Sequence, residues 1–182
     1  MSEYLTDLGI KDYKLIEVTD DYAFSQDSVF LANMAKLGGK DSVLDLGCGS
    51  GILATLALIK KGVKKGVGIE IKETACDMAR RSAEMNGLDF EVINCDVKDI
   101  ASQIRAESFD KVLCNPPYFS ASSPAAKDGK GQARSESTAT LEDFIHAAGY
   151  SLKFGGDLWI VIKTTRLQKL FSALERNNLA AK

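Results

Sequence analysis

The run Asn115-Pro116-Pro117-Tyr118 holds the chemistry most readily read from this chain. It follows Lys111-Val112-Leu113-Cys114, a short apolar stretch that reads as a buried strand. Two prolines bar both a sheet ladder and a helix, so the backbone must stop in a rigid turn just past the strand end. That turn offers the planar Asn115 amide, the Pro116 carbonyl and the Tyr118 ring to one place. A flat ring bearing an exocyclic NH2 group suits the trio, because two oxygens accept its N–H protons and the phenol stacks on its face. A Pro-Pro turn can equally be structural, so the rest of the chain has to decide.

From Lys40 onward, short β-branched runs alternate with helical patterns. Val43 to Leu46 reads as a strand and Ile52 to Lys60 as an almost wholly apolar helix. Val67 to Glu70 is a second strand, before a helix with Ala75, Met78, Ala79 and Ala83 on one face. Phe90 to Asn94 and Lys111 to Cys114 are the third and fourth strands. Thr140 stands as N-cap to Leu141, Phe144, Ile145 and Ala148, spaced i, i+3, i+4, i+7. Leu158 to Ile162 is a fifth strand behind a Gly155-Gly156 turn, and Leu167, Leu170, Phe171 and Leu174 repeat the helical spacing. The alternation predicts an α/β fold, a parallel sheet with helices on both faces.

Two regions lie outside the alternation. Residues 1–39 hold a strand over Tyr13 to Val18 and a segment, Tyr22 to Ser28, that enters a helix through Leu37. They are expected to complete a ligand pocket on a principal domain spanning 40–182, with no second domain. The stretch from Tyr118 to Thr140 is rich in Ser, Ala, Gly and Lys and reads either as disordered or as a functional lid. Lys127, Lys130 and Arg134 make it the best local basic patch.

Ligands of open parallel sheets bind beyond the carboxyl ends of the strands. The first strand leads into Asp45-Leu46-Gly47-Cys48-Gly49-Ser50-Gly51, where glycines let the backbone approach a ligand closely. The second ends in Glu70, placed to accept from ribose hydroxyls or simply to be solvated. Asp96 follows the third, as an acceptor for an adenine amine or as a helix N-cap. A dinucleotide would want Gly-x-Gly-x-x-Gly with its pyrophosphate on the helix N-terminus, but the third glycine here falls one place early. S-adenosylmethionine has no phosphate and a positive sulfonium, so an acid-rimmed pocket suits it better.

From Lys40 to Asn177 this arrangement resembles the Rossmann-like class I S-adenosylmethionine-dependent methyltransferases. The Asn115-Pro116-Pro117-Tyr118 turn is similar to that of enzymes methylating adenine N6, guanine N2 or glutamine N5. Phe24-Ser25-Gln26-Asp27-Ser28, Asp45 to Leu53, the turn extended to Phe119, and Arg134-x-Glu136 with Leu141-Glu142-Asp143 together look like the bacterial tRNA adenine-N6 methyltransferases acting beside the anticodon of a valine tRNA. The resemblance implies Phe24, Asp27 and Ser28 beside the cofactor's methionine part, and Asp45, Gly47 and Gly49 on its floor. Glu70 would meet ribose, Asp96 and the Val97 amide would hold adenine, and Asn115 would border the cofactor. Asn115, Pro116 and Tyr118 would be catalytic, with Tyr118, Phe119, Lys127, Lys130 and Arg134 facing substrate. The chain stops soon after the Leu167–Leu174 helix, where that fold continues into a strand pair including an antiparallel strand. The pair is therefore expected to be missing, leaving the fifth strand as an exposed edge that invites a homodimer.

Composition narrows the partners. The 182 residues are 45% apolar, enough for one core, and 23 Lys plus Arg stand against 25 Asp plus Glu. A net charge of −2 gives no global pull on nucleic acid, so an RNA partner needs a local patch. No signal peptide or membrane-length apolar run is evident, and Cys48, Cys76, Cys95 and Cys114 are spread without a metal-binding spacing. A cytoplasmic protein with reduced thiols and no metal is expected. His146 reads as a packed or surface residue, Trp159 as core, and Lys60, Lys61, Lys64 and Lys65 as a solvated helix end away from the site. The leading expectation is N6-adenine methylation of tRNA. Methylation of guanine N2 or protein glutamine N5, and a methyltransferase-fold binding module without turnover, are the alternatives.

Overall fold

The computed structural model describes residues 2–18, 25–117 and 139–182. Phe24, Tyr118, Phe119, Lys127, Lys130 and Arg134 lie outside them. Five strands form the main sheet: β3 (Val43–Leu46), β4 (Gly66–Glu70), β5 (Phe90–Asn94), β6 (Phe109–Cys114) and β7 (Leu152–Ile160). Their order is β5-β4-β3-β6-β7, and every pairing is parallel. The chain steps outward from β3 in one direction, then returns to the other side of β3. A reversal of direction at constant crossover hand moves the connecting helices to the opposite face. That is what is found.

On one face lie α1 (Gln26–Met34), α2 (Ile52–Lys61) and α3 (Glu73–Met85), which bury Val43, Val92 and Leu113. On the other lie α4 (Leu141–Ser151) and the 3-10 turn Val97–Ser102, over Leu44, Leu46, Ile69, Val112 and Cys114. Successive residues of a strand thus enter different cores, which is why the strands read as unbroken apolar runs. Asp45 is the exception. It is fully buried on the α2 face.

Local chemistry sets the helix ends. Ser25 caps α1 by accepting the Ser28 amide, and Thr140 with Asp143 forms a reciprocal capping box on α4. α2 ends at Gly62, with Lys60 and Lys61 beside its exposed carbonyls and both bonded to Asn33 of α1. Those lysines are therefore tied to a neighbouring helix rather than merely solvated.

The N-terminus forms an antiparallel hairpin of β1 (Glu3–Asp7) and β2 (Lys14–Val18), and β1 carries no core-facing alternation in the sequence. The hairpin docks on α3. Ile16 donates to Ser82 Oγ at 2.9 Å, and the Asn86 amide exchanges hydrogen bonds with the Lys14 backbone at 3.1 and 2.7 Å. A side-chain amide here takes the place of a neighbouring strand.

Two expectations change. The helix expected to reach Leu37 stops at Met34, because Ala35 turns to extended backbone. The Gly155-Gly156 pair is not a turn before the fifth strand but lies inside β7, which runs from Leu152 past a register shift opposite Phe109 and Lys111. A Cβ on Gly156 would come within 2.9 Å of the Asp110 carbonyl, so close approach of two strands fixes a glycine there. Among the described residues β7 is the sheet edge, as expected, but it is not a flat apolar one. Leu158 and Ile160 pack under α4 and α5 (Leu167–Arg176), and only Phe154 is wholly exposed.

Candidate active site

The sheet register assembles the site. Leu46 lies opposite Ile69 on one side and Cys114 on the other. The next residue of each strand, Gly47, Glu70 and Asn115, therefore stands in one row across three adjacent strand ends. The order of strands reverses between β3 and β6, so Gly47 and Asn115 face each other across the switch-point crevice.

Backbone bonds fold the glycine turn over β4. The Gly47 and Cys48 amides both donate to the Ile69 carbonyl, at 2.8 and 3.0 Å. Gly47 and Gly49 hold left-handed φ values of 71° and 55°, which other residues adopt only with strain. Glu70 closes the turn. Its Oε2 accepts the Gly49 amide and its Oε1 the Lys72 amide, both at 3.0 Å.

Asp45 sits beneath that turn. Its Oδ2 accepts the Ala54 amide at 3.1 Å, while its buried Oδ1 has no partner among the described residues. Burial pushes its carboxyl up to about 7, against the Ala54 bond that lowers it and with the Glu70 charge adding to the rise. Burial also raises the Cys48 and Cys114 thiols, and the Asp45 charge adds to both.

At the β5 end Asp96 accepts the Lys98 amide at 3.0 Å and caps the following 3-10 turn. The plainer of its two readings is thus realised, and its Oδ2 also pairs with Lys98 Nζ at 3.2 Å. Val97 behind it is buried.

The turn after β6 is the most constrained part. Asn115 Nδ2 donates to Ser25 Oγ at 3.0 Å and to Ser28 Oγ at 2.8 Å. Its Oδ1 is buried and has no partner among the described residues. Pro116 is fully buried, and Arg166 donates to the Pro117 carbonyl at 3.2 Å. Asp27 lies exposed in the first turn of α1.

The structure therefore brings together Ser28, Asp45, Gly47, Gly49, Glu70 and Asn115, with Asp96 and Val97 at the adjoining strand end. Sequence reasoning missed the roles of Ser25 and Arg166. Ser25 stood inside a quoted motif, whereas no local pattern marks Arg166. His146 is exposed on α4 and pairs with Asn177 at 3.0 Å, in keeping with a surface role. The four cysteines are unpaired, and no helix of the described residues is long and apolar enough to cross a membrane.

A model of the methyltransferase small domain matches residues 24–178. The chain belongs to that family. Among curated methyltransferases it is 27% identical, over 92% of its length and 70% of the relative's, to the tRNA1(Val) (adenine(37)-N6)-methyltransferase of Shewanella halifaxensis. It is 37% identical to the Shewanella amazonensis protein of the same name, over 60% of this chain and 47% of the relative. A candidate protein N5-glutamine methyltransferase of Methanocaldococcus jannaschii is 32% identical over 68% of this chain and 58% of its own. The chain thus spans between about half and 70% of these relatives. Methyltransferase folds recur among solved structures. TrmN from Thermus thermophilus aligns with a TM-score of 0.61 at 24% identity, over 80% of this chain and 40% of its own. Precorrin-6y C5,15-methyltransferase from Geobacter metallireducens aligns with a TM-score of 0.65 at 13% identity, over 90% and 75%.

Proposed function

We propose that this methyltransferase-family chain transfers a methyl group from S-adenosylmethionine to the exocyclic N6 of an adenine in tRNA. One observation carries the acceptor reading: among the described residues Asn115 Oδ1 is a buried acceptor without a donor, next to the Pro116 carbonyl at the end of β6. Two acceptors side by side match the two N–H bonds of an amine on a flat ring. The Shewanella relatives named for adenine methylation favour adenine in tRNA.

The cofactor would supply a methyl group activated on a positive sulfonium. The residues present fit it. Glu70 and Asp96 stand at neighbouring strand ends, and Asp45 Oδ1, an acceptor without a partner among the described residues, lies buried beneath the glycine turn. Acceptors and carboxylates suit a cation with amine and hydroxyl donors, and would repel a pyrophosphate. Gly47, Gly49 and Asp45 would form the floor, Glu70 would take the ribose hydroxyls, and Asp96 with the Val97 amide would hold adenine. Phe24, Asp27 and Ser28 would border the methionine part.

An adenine N6 lone pair is delocalised into its ring and is a poor nucleophile. With both its N–H bonds held by Asn115 Oδ1 and the Pro116 carbonyl, the nitrogen is favoured in a pyramidal form with its lone pair turned away from the turn. Tyr118 would stack on a base taken out of its RNA loop, and hold the approach near the ~3–3.5 Å of a reactive encounter. Phe119, Lys127, Lys130 and Arg134 would contact the RNA. The proton leaves a nitrogen already made cationic, so no strong base is required.

The Methanocaldococcus jannaschii relative supports a second reading, in which the planar amine belongs to a protein glutamine. Labelled methyl transfer to bulk tRNA, bulk protein and DNA separates the two, with digestion of the RNA to nucleosides. N6-methyladenosine in tRNA is expected. Label confined to protein would overturn the adenine assignment, and label in no fraction would favour a binding module.

A further inference from the structure

An asparagine side chain has two ends that look alike in shape and opposite in chemistry. The turn at Asn115 works as an amine acceptor only if oxygen, and not NH2, faces the substrate. Hydrogen bonds elsewhere on the amide must make that choice.

We infer that Ser25 and Ser28 are positioning residues that fix the orientation of the Asn115 amide. Their hydroxyls lie 3.0 and 2.8 Å from Nδ2, one for each amide proton. Both serines are themselves held. Ser25 caps α1 and its Oγ accepts the Ser28 amide at 3.3 Å, while the two hydroxyls lie 3.4 Å apart. Ser28 is 6% exposed, so water does not readily replace it. With the donor end satisfied, Oδ1 is the end left without a partner. In the absence of both hydroxyls the NH2 end would be buried and unpaired, and the amide would lose its preference for the orientation that turns Oδ1 toward the substrate. In the flipped orientation the amine would meet a donor. The first turn of α1 thereby sets the polarity of a group 87 to 90 residues away.

This inference rests on the amine-acceptor reading above, and a carboxylate separates the two. An aspartate at 115 has equivalent oxygens and no orientation to lose. The wild type, Ser25→Ala/Ser28→Ala, Asn115→Asp and the triple variant form a cycle for kcat on tRNA and for cofactor Kd. Alongside it, 1H–15N spectra follow solvent exchange of the Asn115 side-chain amide. Removal of both serines is expected to lower kcat at saturating cofactor by about tenfold or more, and to speed amide exchange. Ser28→Thr in the Ser25→Ala background should restore much of the loss, and serine removal in the Asn115→Asp background should cost less in kcat than it does in the wild type. Rapid amide exchange in the wild type would overturn the inference. So would a double variant whose kcat at saturating cofactor is unchanged, since the serines would then serve the cofactor alone. A protected, serine-dependent amide in a protein that methylates nothing would sink the functional reading and leave the orientation standing.

Discussion

Glu70 Oε2 accepts the Gly49 amide at 3.0 Å, tying the acid at the tip of β4 to the glycine turn beyond β3. Its other oxygen accepts the Lys72 amide, so the carboxylate organises two loops before any ligand arrives. Each oxygen keeps a lone pair for a ribose hydroxyl. Glu70→Ala should weaken S-adenosylmethionine binding by about 1–3 kcal/mol, the scale of a hydrogen bond to a charged group. It should also lower the melting temperature of the free protein. Glu70→Gln, which keeps one acceptor, should fall between. Calorimetry and thermal melts report the two effects separately, and equal binding of NAD would refute the cofactor assignment.

Asn115→Ala should reduce turnover by about 10²-fold or more, as for loss of one aligned transition-state hydrogen bond. Cofactor affinity should change little. Tyr118→Phe should be mild and Tyr118→Ala severe, since the ring face matters more than the hydroxyl. Near-normal turnover of Asn115→Ala on tRNA would make the turn a structural feature.

The raised carboxyl of Asp45, at about 7, has a stability consequence of definite sign. In the unfolded chain it ionises near 3.8, while in the fold it keeps its proton to about 7. The folded state therefore holds the extra proton, and stability from this group is full below 3.8 and declines as pH rises to about 7. Asp45→Asn mimics the protonated form. It should melt like the wild type near pH 4 and higher than it at pH 8, while binding the cofactor more weakly. Melting curves across that range that stay parallel would show that Asp45 ionises freely in the fold.

Gly68 of β4 lies in close contact with the glycine turn and with the Phe90 ring of β5. A Cβ there would stand 2.7 Å from both Cys48 Sγ and Phe90 Cζ. Gly68→Ala should destabilise by about 1–3 kcal/mol through overpacking. Phe90→Leu in the same chain should recover part of it, and denaturant unfolding of the four species measures the coupling.

The elements whose character is local were legible in the sequence. β3 and β5 fall where their apolar runs placed them, and α4 begins at its Thr140 cap. β1 was not, because an outer hairpin strand facing solvent carries no alternation to read. β7 was begun six residues late, since Gly155-Gly156 signals a turn in sequence and a bulged close approach in space. Within the site, the carboxylates and glycines at strand ends followed from topology. The serine clamp on Asn115 could not, because a contact across 87 residues leaves no trace in either segment alone. Asp96 showed the converse limit, as one side chain can be both a cap and a ligand group.

The row of strand ends also has an order in time. Asp45, Gly47, Gly49, Glu70 and Asp96 all precede β6, and Ser25 and Ser28 precede them all. A chain synthesised from its N-terminus can build β3, β4 and β5 with α1, α2 and α3 before Asn115 has left the ribosome. The last strand ends would then close on a floor and a pair of hydroxyls already in place, and the half that would hold the methyl donor would mature before the half that would spend it.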